Sequence, residues 1–320
     1  MYSNNNTFNV QGQVLVDEYI SAKSGEVRKR DWRGKKMRNE QLALIYDVVN
    51  ARKAERLREC ASCLTFSVSA AGDRRLIGMN SCRVRLCPIC TWRRSLRNYY
   101  NNKRIAEYLE ENSSGRWLLL TLTVKNVTGE DLSTTIDELM YAWNKLTKNV
   151  NVKRVVLGYY RGLEVTHNIA DDTYHPHFHC LLHVRKDYMC GANYISQKKW
   201  TDYWQQALQC DYIPIVDIRN VKDFGTGISG SIAEISKYAC KDTDYIYSEA
   251  AVRVLDHALD GRRLIAYGGD IRRTYTLLRL TDADSGDLVN VSDEAIPDSE
   301  EIRREVYFWH TGYRQYYRGQ

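Results

Sequence analysis

The sequence has no long apolar run. None of its 320 residues falls in a stretch approaching the roughly 20 apolar positions that span a bilayer, which removes a helical membrane anchor from consideration. The opening MYSNNNTFNV lacks the basic and apolar regions of a secretory leader, so the expected compartment is the cytoplasm, with no membrane partner. No strand-like segment is followed by a Gly-rich phosphate loop, so P-loop nucleotide hydrolysis has no support, and no internal repeat is found. Histidine is also scarce. Of seven in the chain, three fall at alternate positions in YHPHFHCLLHV, residues 174–184.

The net charge of +6 is unevenly spread. Residues 1–110 hold 21 Lys and Arg against 11 Asp and Glu, so the N-terminal third is the expected contact for a polyanion such as DNA. Its densest basic runs are VRKRDWRGKKMR and TWRRSLRNYYNNKR. Arg93, Arg94 and Arg97 in the second run are the candidate DNA contacts. The acidic, turn-rich stretch 281–301 reads as a loop or linker before a short aromatic tail.

Five of the nine cysteines, Cys60, Cys63, Cys82, Cys87 and Cys90, lie within one short segment. With no leader to route the chain to an oxidising compartment, such clustering points to metal rather than disulfides. CPIC has the form of a zinc knuckle, a turn that aims two thiolates at one tetrahedral ion. The other pair comes either from CASC, leaving Cys82 spare, or from Cys60 and Cys82, leaving Cys63 spare. A four-sulfur Zn²⁺ site has no open position, so its role is structural. Cys180, Cys190, Cys210 and Cys240 are scattered and are expected in the core.

Between residues 115 and 250 the hydrophobic periodicity alternates between strand and helix. RWLLLTLTV reads as a strand, EDLSTTIDELMYAWNKLTKN as an amphipathic helix, and VVLGYYRGLEVTHN and YHPHFHCLLHV as a β-hairpin around the turn IADD. A helix (SQKKWTDYWQQALQC), a strand (PIVDIRNVK) and a last helix (SGSIAEISKYACKDTDY) follow. This order implies an α+β fold with a mainly antiparallel sheet and helices against it.

Because strand residues alternate faces, His175, His177 and His179 project to one side and Phe178 and Cys180 to the other. Two histidines at i and i+2 can bind one divalent ion that takes a further carboxylate, and the hairpin brings Glu164 alongside. His177, His179 and Glu164 are therefore the candidate ligands. In the last helix Glu234, Tyr238 and Lys241 share one face, which places a tyrosine beside a carboxylate and a lysine. Ser231 and Glu234 also match a capping box, which would account for Glu234 without any chemistry.

WLLLTLTVKN, HPHFHCLL and EISKYACKDTD, in that order and spacing, resemble the three motifs of rolling-circle plasmid replication initiators, the Rep proteins of the HUH endonuclease superfamily. CPICTWRRS resembles the branch of that family with an upstream cysteine cluster, and the likeness extends over about residues 55–250. It implies a ferredoxin-like or RRM-like central antiparallel sheet with a small N-terminal zinc module. It also implies metal-dependent, origin-specific nicking and joining of single-stranded DNA through a 5′-phosphotyrosine. By resemblance His177 and His179 bind Mg²⁺ or Mn²⁺, Tyr238 is the nucleophile, and Glu234 stands where other branches have a second tyrosine. Lys241 on the same helix face is a supporting catalytic residue. The family pattern also favours Cys60, Cys82, Cys87 and Cys90 for zinc and makes Cys63 a departure. The expected organisation is a basic arm (1–54), a zinc module with a basic helix (55–112), the nicking domain (113–250) and a C-terminal extension (251–320). Plasmid-origin DNA, a host helicase and a host polymerase are the implied partners. Competing readings are an HUH transposase, a relaxase (although relaxases usually place the tyrosine before the histidines) or a non-enzymatic zinc-containing DNA-binding regulator.

Overall fold

The computed structural model describes residues 13–20, 25–70, 72–221, 229–236, 240, 245–291 and 301–319. The chain forms two compact units, one from residues 1–90 and 288–320 and the other from residues 91–287. In chain order the elements are β1 Glu18–Ile20, β2 Val27–Lys29, α1 Trp32–Val49, α2 Ala51–Glu59, β3 Cys63–Ser69, β4 Arg74–Met79 and α3 Pro88–Asn112. Next come β5 Arg116–Thr123, α4 Leu132–Lys148, α5 Val150–Val155, β6 Val156–Asn168, β7 Thr173–Val184, α6 Gln197–Leu208 and β8 Val216–Asn220. The last are α7 Ser229–Ile235, α8 Glu249–Leu259, β9 Ile265–Gly268, α9 Gly269–Leu277, β10 Glu301–His310 and β11 Gln315–Arg318. Among the described residues no helix is long and apolar enough to cross a membrane.

The first unit is built on a sheet of order β11-β10-β3-β4, antiparallel throughout. Its strands come from both chain ends, since Val306 of β10 pairs with Thr65 of β3. The aromatic tail is thus a pair of sheet strands, with Tyr307 and Tyr316 buried. Nor is the basic N-terminal stretch only an arm. Asp31 caps α1 by accepting from the Gly34 amide at 2.8 Å, and α1 buries Trp32, Leu42, Ala43 and Tyr46.

The second unit has a sheet of order β8-β5-β7-β6-β9, again antiparallel, which bears out the α+β expectation. β6 and β7 form the hairpin read from the sequence, with Glu164 opposite His177 and Gly162 opposite His179. Alternation gives the sheet two differently covered faces. On one, Phe178 meets Trp143 of α4 and Trp204 of α6 edge-on or tilted, and Trp204 donates to the carbonyl of Thr123. On the other, Trp117, Tyr160 and Leu181 pack with Ile105, Ala106 and Leu109 of α3, Ile232 and Ile235 of α7 and Ile271 of α9. Residues 251–287, expected in a C-terminal extension, supply α8, β9 and α9 to this unit.

Gly158 marks the tightest of these helix contacts. A Cβ there would lie 2.0 Å from Asp270 Oδ1 and 2.7 Å from the Ile271 amide nitrogen, at the start of α9. Overpacking at such a place costs about 1–3 kcal/mol. Gly158→Ala is therefore expected to lower stability in urea by that amount without altering the hairpin register. An unchanged midpoint would contradict this packing.

Candidate active site

The hairpin and its neighbour β5 assemble the first group. Glu164, His177 and His179 each offer one ligand atom, and these atoms lie within 4.8 Å of one another. His177 Nε2 is 3.2 Å from His179 Nε2, and Glu164 Oε2 is 3.9 Å and 3.4 Å from the two ring nitrogens. The sequence motif supplies this geometry directly: i and i+2 on β7 place both rings on one face, and the register sets the carboxylate beside them.

Tautomers follow from the surrounding bonds. His177 Nδ1 lies 3.0 Å from the carbonyl of His175, which can only accept, so Nδ1 carries the proton and Nε2 keeps its lone pair. His179 Nδ1 meets the hydroxyl of Thr121 at 3.2 Å, which leaves its Nε2 pointing to the same spot. With the His179 proton on Nδ1, donated to Thr121, two lone pairs and a carboxylate oxygen converge, an arrangement that a cation between them stabilises. Adjacent ligands on an octahedral ion with bonds of about 2.1 Å are about 3 Å apart, so the donor set fits a divalent ion. Burial lowers the His177 pKa, with the His179 charge adding to the effect and the His175 carbonyl and Glu164 opposing it. The ring is thereby kept neutral, as a ligand must be.

Thr121 was missed in the sequence. Its signal was present: in RWLLLTLTV the threonines sit in an otherwise apolar strand, and Thr121 pairs with His179 across β5 and β7. His175 stacks on His177 at 4.9 Å and lies outside the ligand group. His167 is accounted for by its 2.8 Å contact to Asp172.

The second group, in the first unit, is Cys60, Cys82, Cys87 and Cys90, all buried. The Sγ separations Cys60–Cys90, Cys60–Cys87 and Cys82–Cys90 are 3.6, 3.6 and 3.7 Å. Four sulfurs at about 2.3 Å from a tetrahedral Zn²⁺ are about 3.8 Å apart, so the quartet has the dimensions of a zinc site. The Cys82 and Cys90 amides point at Cys60 Sγ (3.4 Å) and Cys87 Sγ (3.5 Å), a polarity suited to thiolates. Burial pushes the Cys82 and Cys87 thiols well up, so ionising them requires a cation in the cluster. Lys36 is fully buried nearby and donates to the carbonyls of Arg58 (2.6 Å) and Cys60 (2.7 Å). Cys63 begins β3, is half-buried and stays outside the group.

The remaining sequence expectations fall out variously. Arg93 and Arg94 are 5 % and 2 % exposed, and Arg94 Nε lies 3.7 Å from Asp284, so these two guanidinium groups are turned into the protein. Arg97 is half-buried and donates to the carbonyl of Asp287 at 2.8 Å. Of the scattered cysteines, Cys180 and Cys240 are buried as expected, whereas Cys190 is exposed and Cys210 half-buried. Tyr238 and Lys241 lie outside the described residues, as does the side chain of Glu234.

What is described of α7 bears on the site. Tyr160 Oη donates to the carbonyl of Ile235 at 3.2 Å, and Asn102 donates to Ser236 Oγ at 3.3 Å. Tyr160 and Glu164 occupy even positions of β6, so α7 is anchored over the face that carries Glu164, His177 and His179. A Cβ on Gly162 would come within 3.2 Å of Tyr160 Oη and 3.6 Å of the Ile235 carbonyl oxygen. Glycine keeps that approach open.

The second unit is thus an antiparallel sheet carrying a two-histidine, one-carboxylate group that could hold a cation, and a buried four-cysteine group that could hold another lies elsewhere in the chain. Sequence comparison gives the family. Residues 73–317 match the family described as "Replication protein", and the chain belongs to it. A "Protein rep" of Bacillus amyloliquefaciens is 40% identical over 99% of both chains. One from Streptococcus pneumoniae is 37% identical over 96% of both, and one from a Bacillus species is 44% identical over 75% of this chain and 85% of its own. No solved structure gives a significant match. The family read from the motifs is thereby borne out.

Proposed function

We propose that the protein initiates plasmid replication by cutting one strand of the origin and holding the cut end covalently. The observation that carries this reading is the convergence of Glu164, His177 and His179 on the face over which α7 is anchored. A divalent ion on those three residues, Mg²⁺ or Mn²⁺, would supply positive charge to a phosphodiester and offset the charge that develops in phosphoryl transfer.

The chain's own residues do the rest. Tyr238 follows Ser236, whose hydroxyl accepts from Asn102, by two positions and is the proposed nucleophile. Its phenol oxygen attacks phosphorus as the bond to the 3′ oxygen breaks. The 5′ phosphate stays on the tyrosine, and the 3′ hydroxyl is released for a host polymerase to extend. Lys241 stabilises the phenolate. Glu234, one turn before Tyr238, takes a proton from water at termination, so the strand is freed by hydrolysis without a second tyrosine. The tetracysteine site holds a structural Zn²⁺. DNA contact is expected to be strongly salt-dependent.

The test uses a labelled single-stranded origin oligonucleotide with Mn²⁺ and a denaturing gel. A covalent adduct is expected with the wild type and none with Tyr238→Phe; an adduct that persists in the variant rejects the nucleophile. Glu234→Ala is expected to nick at near-normal rate and release the strand at least about a hundredfold more slowly. If it only lowers thermal stability, Glu234 is a helix cap and nothing more. Sequence-specific binding with no metal-dependent cleavage would favour a non-enzymatic regulator, and cleavage confined to mobile-element ends would favour a transposase.

A further inference from the structure

The proposed nicking chemistry uses one face of the second unit's sheet. On the opposite face lies a cavity of about 240 Å³ that this chemistry leaves unused. Among its lining residues are Asp137 and Trp143 of α4, Tyr159 and Arg161 of β6, and Arg262 and Arg263 just before β9. Tyr159 and Arg161 occupy odd positions of β6, so they point away from the side that carries Glu164.

Arg161 is the anomaly in this cavity. It is 3 % exposed, yet no carboxylate among the described residues pairs with it. One terminal nitrogen donates to the Met140 thioether and the other to the carbonyl of Arg263 at 3.3 Å, while the guanidinium carbon lies 4.5 Å from the Phe178 ring centre. Its Nε is buried with no acceptor. Asp137, the acidic group in the lining, is taken by Arg262 at 2.9 Å. Cys180, across the ladder from Arg161, has its thiol pushed up by burial and brings no charge. Thioether sulfur is a weak acceptor and a ring face a partial counter-charge, so the desolvated cation is left largely uncompensated. Burial accordingly pulls the Arg161 pKa below the ordinary guanidinium value.

A second buried donor lines the same cavity without an acceptor, the indole Nε1 of Trp143. Arg263 is exposed, and among the described residues its guanidinium has one hydrogen bond, from Nε to the carbonyl of Ile265. The unmet groups around the cavity are thus N–H donors, two of them on cations. What satisfies such a set is an anion with several acceptor oxygens, and the guanidinium fork matches phosphate in particular. The aromatic rings of Trp143 and Tyr159, packed edge-on at 4.9 Å, give the phosphate's organic substituent a surface to lie against. The volume falls below the roughly 300 Å³ at which drug-sized pockets begin, which limits an occupant to about one nucleotide.

We propose that this cavity is a phosphate-binding site, taking the phosphate of a single nucleotide unit between Arg161 and Arg263 with Trp143 Nε1 as a neutral donor. It lies on the sheet face opposite the metal ligands and is separate from the position of the cut phosphodiester. The phosphate belongs either to a free nucleotide or to the DNA backbone.

The test is calorimetric titration of the full chain with sodium phosphate, with dAMP and with a short single-stranded oligonucleotide, against sodium chloride at matched ionic strength. Arg263→Ala, at an exposed position, is expected to weaken binding about tenfold, the loss of one charge-assisted contact. Its Mn²⁺ affinity at Glu164, His177 and His179 should be unchanged, which shows that the fold is kept. Arg161→Met is expected to abolish binding, and Arg161→Lys to restore part of it. If the methionine variant does not fold, the Arg263→Ala comparison decides alone. Binding of phosphate or dAMP that Arg263→Ala weakens identifies a free-nucleotide site. Binding of the oligonucleotide alone, weakened in the same variant, identifies a backbone site. No heat above the chloride control for any ligand, or equal affinities in wild type and Arg263→Ala, overturns the proposal.

Discussion

His179→Ala is expected to abolish Mn²⁺-dependent nicking, a loss of about a thousandfold or more, because one of three protein ligands disappears and the cation goes with it. His177→Ala should do the same, and Glu164→Gln should weaken the metal more than it alters the fold, the amide being isosteric. The direct readout is the Mn²⁺ electron paramagnetic resonance signal, titrated with protein in the absence of DNA. Retained Mn²⁺ binding in both histidine variants would remove the site. The pH profile has a definite sign. Burial depresses the His177 pKa, so the neutral ring is favoured in the folded chain. The contribution is complete above the ordinary imidazole pKa of about 6.5 and is lost as pH falls through the depressed value. Metal affinity should therefore be flat through neutral pH and fall only on the acid side of that range.

The second large effect concerns the cysteines. Cys87→Ser is expected to leave the purified chain without its bound zinc and to melt the sheet of β3, β4, β10 and β11. A structural zinc contributes about 10–16 kcal/mol of apparent binding free energy in small domains, as much as the whole stability of a typical domain. Element analysis should give one zinc per wild-type chain and none in the variant, and hydrogen exchange should show β3 unprotected. Cys63→Ser is the matched control, because Cys63 stays outside the buried quartet and its replacement should keep both zinc and protection. If Cys63→Ser loses zinc while Cys82→Ser keeps it, the assignment of the quartet is wrong.

The grouping of Glu164, His177 and His179 was legible because every relation that builds it is local. Alternation puts His177 and His179 on one face, a short polar turn closes the hairpin, and the register brings Glu164 to His177. The choice between Cys63 and Cys82 was not legible from spacing alone. It depends on β3 beginning at Cys63, which gives that side chain to the sheet, while Cys82 lies after β4 and faces Cys60. The burial of Arg94 was hidden for a related reason. A basic run reads as a solvated surface until its acid is known, and Asp284 lies far along the chain. The cavity around Arg161 gave no sequence signal, since a lone arginine in GYYRGLEV looks like any strand residue facing water.

The sheet of the first unit has a consequence for how the protein is made. Strand β3 leaves the ribosome more than 200 residues before β10, which pairs with it from Ser69 to Cys63. A chain emerging from its N-terminus can complete the residues of 91–287 while β3 still has an open edge. The cysteine-bearing unit is thus finished only after residues 91–287 have been made, and a chain truncated before residue 301 leaves the β3 edge that β10 covers unpaired.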